Sequence, residues 1–222
     1  MKLKNLQSIF IVLTLLCGCE SNDNVENDRL NRLKKNANDS FLKGNNEKAY
    51  LYQDSVIMMG EKKLNTLNDI GLYAKNSGRF VKSKEYFLQA LKLSKNKHDS
   101  TYVIINLLSC LIMKGDYTEA IEYSNSIVPE ELFKFDLILL KSQAYFYNRD
   151  YNKSISILKE YGSFIKQSDI LEKDSFSVLK YYIFLSKCNL ALDDTLSYCT
   201  NYKIAYQLDT ITANFLDSTI CK

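Results

Sequence analysis

The chain has 222 residues, 46% of them hydrophobic, enough for a sizeable core, so the bulk of it is not a disordered chain. Only 7 Gly and 1 Pro interrupt it and no Asn-Gly or Asp-Gly hairpin turn occurs, so helices are expected rather than strands. Net charge is +3, and removing Lys2 and Lys4 with the acid-free residues 1–18 leaves +1, which excludes a nucleic-acid partner held by a strong basic field.

Lys2 and Lys4 begin the chain, and a short apolar run follows from Ile9 to Leu16. A bilayer-spanning helix takes roughly 20 apolar residues, so this run is too short to span and reads as a signal peptide over residues 1–18. Leu16-Cys17-Gly18-Cys19 resembles the lipobox of bacterial lipoproteins. That resemblance implies cleavage after Gly18, lipid on Cys19, and a lipid anchor in the bacterial cell envelope, at the outer membrane. Residues 19–29, Cys-Glu-Ser-Asn-Asp-Asn-Val-Glu-Asn-Asp-Arg, are polar and aperiodic and read as a flexible acidic tether.

From residue 30 the chain repeats itself. Gly44, Gly78, Gly115 and Arg149 lie at steps of 34, 37 and 34 residues. Seven residues before them stand Ala37, Gly71, Leu108 and Ser142; five after stand Ala49, Ser83, Ala120 and Ser154. Two after stand Asn46, Phe80, Tyr117 and Tyr151. A glycine suits the left-handed residue that ends a helix, small residues let two helices approach, and an aromatic covers the turn. Gly71 is therefore expected to face Ser83, and Ser142 to face Ser154. Apolar residues continue at helical spacing after each turn, as in Phe80, Phe87, Ala90 and Leu91.

Helix–turn–helix units repeating at about 34 residues resemble the tetratricopeptide repeat. The segments that carry the likeness are Gly78-Arg79-Phe80 with Phe87-Leu88-Gln89-Ala90-Leu91, Gly115-Asp116-Tyr117-Thr118-Glu119-Ala120-Ile121, and Arg149-Asp150-Tyr151-Asn152-Lys153-Ser154-Ile155. The family implies an all-α, right-handed superhelical solenoid of antiparallel helix pairs. Repeats fall at about 30–63, 64–97, 101–134 and 135–168, with a weaker fifth at 179–212. In the fifth, Asp193-Asp194-Thr195 is the turn and Ser186, Tyr202 and Ala205 take matching places, but Tyr198 stands where a small residue belongs. That unit also needs extra residues near Ser163–Ser175. The tail from Ile211 to Lys222 is expected to be a capping helix.

No catalytic constellation stands out, and no cofactor or metal is expected. His98 is the single histidine and sits in the polar Lys95–Asp99 link, so it reads as a surface residue. There is no phosphate loop, His-Glu-x-x-His or Gly-x-Ser-x-Gly, and an enzyme is not expected. Cys188 and Cys199 flank the fifth turn and are a candidate disulfide, whereas Cys110 aligns with Ala144 and reads as buried packing.

In the family, first-helix positions line a concave groove. Carried onto this chain they are Tyr102, Ile105, Ile112, Met113, Leu139, Gln143, Phe146 and Tyr147, with Asn65, Asn68, Leu72 and Lys75 in the preceding repeat. Such a groove suits an apolar helix or extended peptide. One subgroup clamps a terminal carboxylate with Lys and Asn. Lys34 and Asn38 fit its first pair, but Asp69 and Asp136 stand where an Asn and a Lys are needed and would repel the carboxylate. The expected function is a lipid-anchored scaffold for a protein or peptide. An assembly factor for outer-membrane proteins or pili, or part of a signalling sensor, is the alternative.

Overall fold

A computed structural model describes residues 24–128, 130–165, 175–209 and 216–221. Cys19 and the lipobox lie outside the described residues, as does most of the Ser163–Ser175 stretch. Ten α-helices and no strand occur among the described residues. They are α1 (24–42), α2 (Asn46–Met58), α3 (Leu64–Asn76), α4 (Phe80–Leu93), α5 (Lys97–Lys114), α6 (Tyr117–Ser126), α7 (Lys134–Tyr147), α8 (Tyr151–Ile165), α9 (Ser175–Ala191) and α10 (Thr195–Leu208). None of the described helices is long and apolar enough to cross a membrane. The chain divides into two compact units, one up to Tyr86 and one from Phe87.

Each odd-numbered helix turns into the next even one through the same loop. Asp116 N–H donates to Leu111 O at 2.9 Å and Gly115 N–H to Ile112 O at 3.1 Å, the paired bonds of a Schellman end. The corresponding 6→1 bonds are Asn45 to Ser40, Arg79 to Ala74, Asp150 to Tyr145 and Asp194 to Asn189. The residue at the bend has positive φ throughout: 95° at Gly115, but also 66° at Arg149 and 59° at Asp193. Hydrogen bonding therefore fixes the loop even where the residue is not glycine. Three loops then start the next helix with a side-chain cap, in which the backbone N–H groups of Lys48, Lys153 and Ser197 donate to Asn45, Asp150 and Asp194.

The small residues meet where expected. Ser83 Oγ donates to Gly71 O at 2.7 Å, and Ser154 Oγ donates to Ser142 O at 2.8 Å. Ala37, Ala49, Leu108 and Ala120 are buried in the same register. In the unit up to Tyr86 the core gathers Ala37, Ala49, Tyr50, Ile70, Tyr73 and Ala74, with Phe41 packed on Tyr73 at 5.0 Å. From Phe87 onward, one cluster joins Leu139, Leu158, Tyr161, Val178, Tyr181, Leu185 and Cys188. A second joins Leu179, Ile183, Tyr198, Ala205 and Leu216. Each large side chain so buried contributes about 2 kcal/mol of transfer free energy.

Four sequence expectations change. The tether reading of 19–29 fails for residues 24–29, which already belong to α1. Arg32 Nε donating to Asp28 O at 3.3 Å bridges the first turns of that exposed helix. The polar link around His98 is also shorter than expected. α5 starts at Lys97, where Asn96 Oδ1 accepts from Asp99 N–H at 2.8 Å.

The expected Cys188–Cys199 disulfide does not form. Cys199 bonds to Cys221 instead, and Cys110 and Cys188 are free and buried. Cys188 and Cys199 flank the turn but pack in different clusters. The Cys188 thiol turns toward α8, 3.2 Å from Ser154 Oγ, whereas Cys199 packs with the Tyr198 cluster. The described end of the tail is a short 3-10 turn, Ser218–Cys221, rather than an α-helix there; residues 210–215 lie outside the described residues. That turn does cap the last pair, because Leu216, Ile220 and Cys221 pack on Leu179, Ile183 and Ala205.

Candidate functional site

The first helices α5 and α7, both in the unit from Phe87, carry the candidate face. Tyr102 is 43% exposed, Met113 54% and Tyr147 42%, whereas Ile105 and Gln143 are half-buried. Large apolar side chains gathered on one face make it a candidate for a partner surface. Ile112 and Leu139, at 9% and 4%, are core residues instead and are withdrawn from the face. Phe146 is divided, since it packs partly against the Leu139 cluster. The helical stripe is wide because a first helix packs against more than one neighbour, and spacing alone does not say which edge of it stays open.

The structure adds side chains that helix spacing passed over. Phe133, in the 3-10 turn Glu131–Phe133, lies 6.3 Å from Tyr102 and 5.0 Å from His98, ring to ring. His98 Nδ1 is in turn 3.0 Å from Glu130 Oε2. At the other end Tyr117 stacks on Tyr147 at 5.5 Å, with their planes 20° apart. Phe184, from α9, meets Phe146 and Tyr147 edge-on at 6.0 and 6.5 Å, and Lys187 Nζ lies 5.7 Å from its ring. Tyr117 was visible in the sequence as the turn aromatic; its second role, bracing an exposed tyrosine, was not.

Lys34 and Lys63 both lie 3.1 Å from Glu61 Oε1. Burial pushes the Asp69 carboxyl up to about 6 against the pull of Lys34, which disfavours an anionic ligand there when Asp69 is ionised. Asn68 and Lys75, expected to face a groove, are buried. Clefts of 460 and 350 Å³ occur on α1 and α2, lined by Asp28, Asn31, Arg32 and Lys35 and by Asn36, Asp39, Ser40, Lys43, Asn45, Lys48 and Tyr52. No group of three His, Cys, Asp or Glu side chains that could hold a metal ion occurs among the described residues.

MamA from Desulfovibrio magneticus RS-1, residues 41 to the end, superposes with a TM-score of 0.63 at 17% identity, over 82% of this chain and 96% of that one. A tetratricopeptide repeat protein from Parabacteroides merdae ATCC 43184 gives 0.62 at 15% identity, over 87% and 71%. This chain has the tetratricopeptide-repeat fold. Another MamA crystal structure gives a TM-score of 0.61 at 14% identity, over 86% of this chain and 98% of that one. No family model matches the sequence, and no curated protein matches it. At these identities the tetratricopeptide likeness concerns the fold alone.

Proposed function

We propose that the chain is a lipid-anchored tetratricopeptide scaffold that holds a protein or peptide partner at the bacterial cell envelope. The observation that carries this reading is the exposed row of Tyr102, Met113 and Tyr147 on first helices of a repeat fold. Such repeats bind extended segments along this surface, with apolar anchors seated between side chains of successive first helices. Tyr147 braced by Tyr117 is a rigid aromatic platform, the kind of side chain that carries binding energy at interfaces. Anchoring rests on Leu16-Cys17-Gly18-Cys19, and the Cys199–Cys221 disulfide supports a compartment outside the cytoplasm.

Two measurements test the two halves. A photo-crosslinking residue at Tyr147 is expected to capture one defined envelope protein, whereas the same residue at exposed Lys153 does not. Equal capture from both positions ends the binding reading. A fatty-acid probe is expected to label the wild type and not Cys19→Ala; equal labelling ends the anchoring reading.

A further inference from the structure

Four cysteines follow the lipobox, and burial divides them into two kinds. Cys110 and Cys188 are fully buried, and burial pushes the Cys188 thiol up, away from the reactive thiolate. Cys199 and Cys221 are half-exposed and bonded to each other, at a sequence separation of 22. The bond joins α10 to the turn Ser218–Cys221 and lies beside the largest fully buried side chain, Tyr198. Tyr198 Oη donates to Asp217 O at 2.9 Å. Thr219 N–H and Oγ1 donate to Asp217 Oδ1 at 2.9 and 2.6 Å, which shapes the turn locally. Leu216 and Ile220 then cover Leu179, Ile183 and Ala205.

Among the described residues, the turn is otherwise held by the Tyr198 hydroxyl and by apolar contacts of Leu216, Ile220 and Cys221. Six described residues held so lightly do not stay docked on their own, because ordering each one costs about 1–2 kcal/mol. The face they cover is an apolar side of the α9–α10 pair, and such a face left open on a repeat stack requires a cap.

We propose that Cys199 and Cys221 are the chain's thiol–disulfide exchange site, a covalent clasp closed by a disulfide-bearing oxidant, and that the clasp holds the C-terminal cap on the last helix pair. The reaction balances as an exchange. The Cys199 thiolate attacks one sulfur of the oxidant's disulfide, breaking that bond and forming a mixed disulfide. The Cys221 thiolate then attacks the Cys199 sulfur and expels the oxidant as a dithiol. The chain gives up two electrons, the oxidant accepts them, and the thiol protons pass through solvent to the released sulfurs. Cys199 acts first because it is fixed on α10, whereas Cys221 approaches only as the cap docks. Burial of Cys110 and Cys188 keeps both out of the exchange.

The test uses the full chain with Cys17→Ser and Cys19→Ser, folded and oxidised with glutathione disulfide. Without reductant, iodoacetamide is expected to add nothing; after brief native treatment with dithiothreitol it adds two groups, on Cys199 and Cys221. Four groups require denaturant as well. In a second arm, Cys199→Ser with Cys221→Ser is expected to speed amide exchange of residues 216–221 at least tenfold, while α5 and α7 keep their protection. Alkylation of Cys110 or Cys188 as fast as of Cys199 would overturn the assignment of the site. Unchanged exchange in the doubly substituted chain would overturn the clasp. A doubly substituted chain that loses protection throughout would make the bond a general staple rather than a cap lock, which also overturns it.

Discussion

The second and fifth helix pairs share a turn and differ in how they close. In α3 and α4, Ser83 Oγ donates to Gly71 O at 2.7 Å, so only a small side chain stands where the helices approach. In α9 and α10 the same two places hold Ser186 and Tyr198, both buried. A tyrosine cannot lie where a serine did without spreading the helices or leaving by another route. It leaves by reaching to the tail, where Asp217 O accepts its hydroxyl. The interior pair uses a small residue to close on itself; the terminal pair uses a large one to hold its cap. Position in the repeat fixes the backbone, and position in the stack decides the side chain.

The largest expected break in that comparison comes from Tyr198→Ala. It should cost about 4 kcal/mol by emptying a fully buried site, while the Cys199–Cys221 bond keeps residues 216–221 tied to α10. Denaturant unfolding would show the cost, and a loss near 1 kcal/mol would mean Tyr198 is not an anchor of the last pair. The reverse exchange, Ser83→Leu, should cost about 3 kcal/mol, since the second pair has no outlet for a large side chain. If the protein unfolded at the wild-type temperature, the close approach at Gly71 would be illusory.

Asp69 sharpens the contrast at the level of charge. Its pKa is raised to about 6, from 3.8 in the unfolded chain. Below pH 3.8 it is protonated in both states and costs nothing. Between about pH 4 and 6 the folded state holds more protons than the unfolded one, so stability falls as pH rises. Asp69→Asn should therefore add about 2 kcal/mol at pH 7 after allowance for solvent screening, and nothing at pH 3.5. An equal gain at both pH values would rule out this origin. The smallest effect lies in the turns. Asp193 spends its φ of 59° in the region that favours glycine. Asp193→Gly should change stability by no more than about 1 kcal/mol, and in the stabilising direction, whereas Gly115→Ala should lose about 1 kcal/mol in the same thermal scan.

Much of the architecture was readable because the repeat obliges particular residue sizes at fixed steps. Gly78 and Gly115 announce their turns, and the Ser83 and Ser154 contacts follow from spacing alone. The fifth unit was faint because Tyr198 stands where a small residue belongs, and spacing does not report that its hydroxyl reaches Asp217 O. The cysteines were misread for another reason. Spacing sets Cys188 and Cys199 on either side of the turn, but pairing depends on direction about each axis, and Cys188 faces α8. The binding face was half legible. A helical period groups Ile112 with Met113 and Leu139 with Gln143 on one broad stripe, and only packing separates the buried members from the open ones.

One contact on the first two pairs bears on how the molecule comes apart. Both nitrogens of the Arg79 guanidinium fork bond Glu47, at 2.6 and 2.7 Å, while the same group lies 4.8 Å from the Tyr50 ring. This tie between α2 and the start of α4 is ionic and open to solvent, so salt weakens it. The tie at the other end is covalent and indifferent to salt. The two regions therefore answer to different solution conditions: ionic strength loosens the junction of the first two pairs, reducing agents loosen the last pair, and neither treatment reproduces the other.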